Sequence, residues 1–203
     1  MQNIFEKIYR LHHWYHEETV SGPGASLLHT ATIRAVLPEL LASLGTNTFL
    51  DIPCGDFNWM QEIDLSPYFY CGADIVDEIV ANNVANNSSQ RKKFVWADIT
   101  CTPLLQSDLV FCRDCLVHFS YDDIKKAVAN LKKSKSAYLL TTSFPGCFNR
   151  DISTGEWRPI DLESEPFSFP PPLKLINENC TEENGRYRDK SMGLWIISDI
   201  PDY

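Results

Sequence analysis

Three apolar runs in the first half of this chain close on an aspartate: Phe49-Leu50-Asp51, Tyr68 to Asp74, and Phe94 to Asp98. A short helical stretch at 58–63 and a clearer one at 77–87 separate them. A fourth run, Asp108 to Cys112, leads into Arg113-Asp114. Ser120 then offers a cap for a helix from Tyr121 to about Lys133, with Asp122 and Asp123 in the first turn where the helix dipole favours them. Ala137 to Ser143 is a fifth run. Strands alternating with helices imply an α/β fold, a doubly wound parallel sheet covered on both faces. The runs 173–176 and 193–197 have no helix between them and are expected to pair as an antiparallel ribbon at the sheet edge. That makes a mostly parallel sheet of seven strands. The carboxyl ends of doubly wound strands share one crevice, which would gather Asp51, Asp74 and Asp98.

The stretch from Asp51 to Met60 reads as strand, tight turn and helix start. Gly55 marks where the chain turns sharply or lets a ligand approach the backbone. Amides beyond it would point into the crevice. A dinucleotide fingerprint wants three glycines, and here Pro53 stands where the first should be. By itself the stretch is equally a structural βα turn. Asp74 lies 19 residues beyond Gly55, near the spacing of a carboxylate that grips ribose hydroxyls. A carboxylate accepts several hydrogen bonds and so suits a vicinal diol. Asp98 alone reads as well as a cap for its own turn.

With these residues in place, the chain resembles the class I S-adenosylmethionine-dependent methyltransferases, from about residue 27 to the end. Asp51-Ile52-Pro53-Cys54-Gly55 resembles that family's first motif, an acid before a glycine-rich turn. The resemblance implies a Rossmann-like sheet and an S-adenosylmethionine cofactor whose methionine end the turn cradles. It further implies that Asp74 with Ile75 holds the ribose, and that Asp98 with Ile99 lies beside the adenine. Asp56, Asn58, Trp59 and Arg113 would border the same ligand. An aromatic beside a sulfonium is physically sensible, although Trp59 reads equally as core. Leu116-Val117-His118-Phe119 resembles the Leu-x-His segment of many members. Pro53, and the lack of a glycine at Phe57 or Asn58, depart from the pattern.

Asp114 and His118, at the end of the central fourth strand, are the candidates for chemistry. An unperturbed histidine titrates near 6.5 and suits a base at neutral pH. Asp114 would instead orient the acceptor or hold the cofactor. A plain Arg113–Asp114 ion pair, or a His118 packed beside Phe119, would remove those roles.

Residues 3–18 read as an amphipathic helix through Ile4, Phe5, Ile8, Leu11 and Tyr15. His12 and His16 stand one turn apart, with no further metal ligand in sight. The helix reads as surface, or as a lid with Trp14 facing a substrate. After the loop 21–26, Ser26 is the expected cap of a helix that Pro38 should kink or split and Gly45 should end. Residues 145–172 hold many prolines and little periodicity, the signature of a binding insertion. Residues 1–26 and 145–190 would flank the crevice, so Trp14, Arg150 and Arg158 are candidate substrate contacts. The arginines suit a carboxylate or phosphate.

At 203 residues the expectation is a single domain, 1–203. A net charge of −9 argues against a nucleic-acid partner. No apolar run reaches membrane-spanning length, and the first residues lack a secretory pattern. Seven cysteines, an odd number set mostly in apolar runs, suit reduced cytoplasmic use. The expected activity is methyl transfer to an oxygen or nitrogen of a small molecule, a sugar or other metabolite. A nicotinamide oxidoreductase and a non-catalytic nucleotide-binding module remain open.

Overall fold

The computed structural model describes residues 1–14 and 16–203; Tyr15, expected on the first helix, lies outside the described residues. The elements run α1 (Gln2–Arg10), α2 (Ala31–Ser43), β1 (Thr48–Asp51), β2 (Phe69–Asp74), α3 (Asp77–Asn87), β3 (Lys92–Trp96), β4 (Leu109–Cys112), α4 (Tyr121–Lys133), β5 (Tyr138–Ser143), β6 (Lys174–Asn177) and β7 (Ser191–Ile196). The seven strands form one sheet in the order β3-β2-β1-β4-β5-β7-β6. β3, β2, β1, β4 and β5 are parallel, while β7 runs antiparallel to both β5 and β6. The chain winds outward from β1 to β3 and returns to β4, so its direction reverses between β1 and β4. A crevice opens at such a reversal.

Alternate strand residues feed two cores. Leu50, Cys71, Ala73, Val110, Cys112 and Leu139 pack with Ile79 of α3 and with Ile124, Val128 and Leu131 of α4. Phe49, Tyr70, Leu109, Phe111 and Leu140 pack with Ile33, Leu37, Leu40 and Leu41 of α2. Ser120 caps α4 by accepting from the Asp123 amide, as its sequence implies. Among the described residues no helix is long and apolar enough to cross a membrane.

Four expectations change. The amphipathic helix at the start ends at Arg10 rather than residue 18, and the chain turns at His12, whose φ is +47°. Ser26 caps only a turn, accepting from the His29 amide, and α2 begins at Ala31. Pro38 does not split α2, which runs unbroken from Ala31 to Ser43. A helical proline costs about 3 kcal/mol. Burial of Ile33, Leu37, Leu40 and Leu41 outweighs it at roughly 1.5–3 kcal/mol each. Finally, residues 145–172 are irregular but well packed: Ile160, Leu162 and Phe167 are fully buried. Their side chains extend the core beside Phe144 and Phe119.

Candidate functional site

At the end of β1 the Asp51 carboxyl is buried, and the Tyr70 hydroxyl donates to it at 2.6 Å. Burial pushes its pKa up to about 8, against the opposing effect of the tyrosine bond. Gly55 adopts φ +56°, and a β-carbon there would meet Ser21 Oγ at 2.4 Å. Both facts require glycine. The Gly55 amide donates to Asp74 Oδ2 and the Val76 amide to Oδ1, each at 3.0 Å. Asp74 therefore ties the β1 turn to the end of β2. Burial raises it to about 6, the amide bonds acting against that. A carboxylate offers about four acceptor sites, so capacity remains for a further donor.

The loop after α1 closes onto this turn. Thr19 Oγ1, the Val20 amide and Ser21 Oγ all donate to the Asp56 carboxylate. Glu18 accepts from the Leu27 amide and from Asn58 Nδ2, both at 2.7 Å. Asn58 thus pins the loop and lies outside the cavity. Nothing local in the sequence marks Glu18 and Asp56 as anchors of this segment, because Asn58 lies 40 residues from Glu18 and Thr19 lies 37 from Asp56.

A cavity of about 150 Å³ lies under the loop, at the β1/β4 reversal. Asp51, Pro53, Cys54, Gly55, Asp56, Trp59, Asp74, Ile75, Ile99, Arg113, Asp114, His118 and Trp14, all singled out by sequence, line it. Asp98 does not. β3 ends at Trp96, two residues sooner than expected, and the Asp98 carboxylate accepts from the Thr100 amide and hydroxyl. It is consumed by its own turn.

Asp114 and His118, with Trp14 and Ser21, also line a second cavity, of about 420 Å³. Its walls carry Trp14, Phe144, Trp157 and Tyr187, and its polar lining includes Glu182 and Lys190. Phe144, Trp157 and Tyr187 pack edge to face on one another.

Asp114 sits at φ +51°, its amide donating to Thr142 Oγ1 at 2.8 Å. Its carboxylate meets Lys190 Nζ at 2.6 Å and Arg113 Nη1 at 3.1 Å. Burial would raise this acid, yet the Lys190 ammonium and then the Arg113 guanidinium hold it at about 2. Arg113 also donates from Nε to Glu178 at 2.7 Å. The expected Arg113–Asp114 pair exists, therefore, inside a larger network. Glu178 and Lys190, which flank the β6–β7 connection, were missed because nothing local in the sequence marks them.

His118 stacks on Trp14 at 4.5 Å between ring centres, and its Nδ1 lies 3.0 Å from the Glu156 carbonyl. A carbonyl only accepts, so Nδ1 carries the proton and Nε2 an open lone pair. Burial drops its pKa to about 4, despite the Glu156 bond.

Neither arginine offered as a substrate contact lines either cavity. Arg150 is exposed. Arg158 is wholly buried, with Nη1 donating to the Leu116 carbonyl at 2.9 Å and Nη2 to Phe119 at 2.7 Å. It braces the segment that carries His118.

No protein-family model matches the chain, and no curated protein sequence does. Solved structures do match. The 1,6-didemethyltoxoflavin N1-methyltransferase of Burkholderia thailandensis, solved with 1,6-didemethyltoxoflavin and S-adenosylhomocysteine, superposes with a TM-score of 0.65 at 14% identity, over 95% of this chain and 85% of that one. The chain has the class I methyltransferase fold. The magnesium protoporphyrin IX methyltransferase of Synechocystis PCC 6803, solved with S-adenosylhomocysteine, matches with a TM-score of 0.53 at 16% identity, over 73% of this chain and 74% of that one. The PH0226 protein of Pyrococcus horikoshii OT3 matches with a TM-score of 0.50 at 15% identity, over 66% of this chain, which spans 65% of that protein. Within this methyltransferase fold, the first cavity lies at the reversal of strand order and the second lies on its β4 side.

Proposed function

We propose that the protein transfers a methyl group from S-adenosylmethionine to an oxygen or nitrogen of a small molecule. The observation that carries the proposal is the pair of neighbouring cavities on this fold, which share Asp114 and His118 as wall residues. The lining suits the cofactor. The Gly55 turn leaves its backbone open to close approach, Asp74 retains acceptor capacity for ribose hydroxyls, and Ile75, Ile79, Ala97 and Ile99 give an apolar bed for the adenine. When bound, the cofactor supplies an electrophilic methyl group on a sulfonium.

The chain's own residues position the acceptor and manage its proton. His118 Nε2 accepts the acceptor's N–H or O–H and takes that proton as the methyl group is gained. Asp114 stays ionised and saturated by Lys190, so it orients and does not act as a base. The loop 18–26, tied down through Glu18 and Asp56, and the Trp14 ring flank this junction. Much of the acceleration then comes from alignment.

The second cavity, where Asp114, Glu182 and Glu183 stand against Lys190, supports a ring-bearing acceptor without negative charge, a sugar or heterocycle. Its aromatic walls offer ring faces, and its cation, Lys190, is already bound by Asp114. Arg150 and Arg158 are not placed to hold an anion.

Parallel melting curves with S-adenosylhomocysteine and with NAD test the cofactor. A ligand at 100 times its dissociation constant stabilises by about 2.7 kcal/mol. A shift with S-adenosylhomocysteine and none with NAD is the expected result. The reverse pattern would replace the proposal with the oxidoreductase reading.

A further inference from the structure

Among the described residues, three buried side-chain atoms lack a hydrogen-bond partner: Thr46 Oγ1, Arg113 Nη2 and Glu178 Oε2. Thr46 precedes β1, at the strand end away from the crevice. Glu178 lines neither cavity. Arg113 lines the first cavity, and its guanidinium lies 5.7 Å above the ring of Trp59, another wall residue.

The remaining donors of Arg113 are taken. Nε donates to Glu178 at 2.7 Å, and Nη1 meets the Gly24 carbonyl at 2.9 Å and Asp114 at 3.1 Å. These bonds fix the plane of a side chain only 5% exposed. Both hydrogens of Nη2 remain, rigidly presented. A buried donor without a partner is costly, and such groups in native structures ordinarily meet a protein atom, water or ligand. A guanidinium N–H of this kind makes a short, charge-assisted hydrogen bond to a carboxylate oxygen.

We propose that Arg113 Nη2 receives the α-carboxylate at the amino-acid end of S-adenosylmethionine; this inference rests on the cofactor reading above. Strand order makes the placement coherent. Asp74 and Ile99 follow β2 and β3, whereas Arg113 follows β4 across the β1 turn. A ligand with its adenosine over β2 and β3 extends its amino-acid end toward β4, which leaves the sulfur beside Asp114 and His118. A zwitterionic end also adds no net charge to a cluster that sets Arg113 and Lys190 against Asp114, Glu178 and Glu182. Glu178, which holds Nε, is the positioning residue that sets where Nη2 lies.

Calorimetry on the full chain tests this with S-adenosylhomocysteine, its decarboxylated counterpart, and 5′-methylthioadenosine. The wild type is expected to bind S-adenosylhomocysteine about 30-fold more tightly than the decarboxylated compound. Arg113→Lys keeps the positive charge but loses the planar guanidinium and its Nη2 donor. It should bring that ratio to about threefold or less and leave 5′-methylthioadenosine affinity unchanged. A wild-type ratio near one, or a full ratio in Arg113→Lys, overturns the inference. If the variant does not fold, guanidinium resonances of ¹⁵N-labelled wild type decide. One guanidinium protected from exchange by S-adenosylhomocysteine but not by 5′-methylthioadenosine supports the assignment, and equal behaviour overturns it. Binding of 5′-methylthioadenosine without preference for S-adenosylhomocysteine sinks this inference alone. Binding of neither sinks the cofactor reading along with it.

Discussion

Arg158 and Phe119 are joined by a 2.7 Å hydrogen bond from a fully buried guanidinium to a backbone carbonyl, across 39 residues of sequence. The Arg158 amide also donates to the Val117 carbonyl at 3.1 Å, and the Gly155 amide to the His118 carbonyl at 2.8 Å. The irregular segment therefore acts first as a brace, bonding every carbonyl from Leu116 to Phe119. Arg158→Met would leave the Phe119 carbonyl unpaired and the Leu116 carbonyl with only the Phe119 amide, and would leave an apolar chain in a site built for a guanidinium. The expected loss is about 3 kcal/mol or more, read as a lower denaturant midpoint. A substrate contact would instead raise the acceptor KM in a chain of unchanged stability.

Asp74 supports both the Gly55 turn and the proposed ribose contact. Asp74→Asn should weaken S-adenosylhomocysteine binding by roughly 1.5–3 kcal/mol. In the unliganded protein the Asp74 carboxyl titrates at about 6. Wild-type affinity should therefore hold at pH 7–8 and fall as the pH drops below about 6 and the carboxylate is lost. The asparagine variant should show no such step. The raised pKa also means the folded state retains a proton between ~4 and 6, so burial of this acid costs stability as pH rises through that window.

His118 has its pKa lowered to about 4, not the ordinary value near 6.5. A base that is already neutral gives a turnover rate that is flat from pH 8 to about 5 and falls toward 4. His118→Ala should lower turnover about 100-fold, leave S-adenosylhomocysteine affinity intact and remove the acidic fall. The sign for stability follows from the same shift. The unfolded chain takes up this proton below ~6.5 and the folded one only near 4, so stability drops as pH falls through that interval. An unchanged rate and pH profile in His118→Ala would leave positioning alone to carry the reaction.

Gly55→Ala forces φ +56° on a residue with a β-carbon and drives that carbon against Ser21 Oγ. Strain and collision together should cost about 1–3 kcal/mol and reduce cofactor affinity. Ser21→Ala removes the oxygen but not the strain. The double variant should thus be less destabilised than the sum of the singles, a coupling that a double-mutant cycle measures. Strict additivity would mean the loop does not bear on the turn.

The order of elements, the parallel sheet and the acid-turn-glycine corner were legible in the chain because they depend on local periodicity and nearby spacing. Asp74, 19 residues from Gly55, falls within one β-helix-β repeat, where such spacing carries across. Asp98 was misplaced for a local reason too: Thr100 and Thr102 end the strand early by turning the backbone onto the aspartate. What sequence alone did not reveal are the charge relations that decide chemistry. Arg113 meets Glu178 across 65 residues, and Asp114 meets Lys190 across 76. These contacts arise because β7 folds back antiparallel against β5 and brings the β6–β7 connection over the end of β4. Arg158 and Arg113 are alike as letters. Burial against carbonyls makes one a brace, and burial beside carboxylates makes the other the centre of an ion cluster at the cavity wall, a distinction set by desolvation and partner geometry in the folded chain.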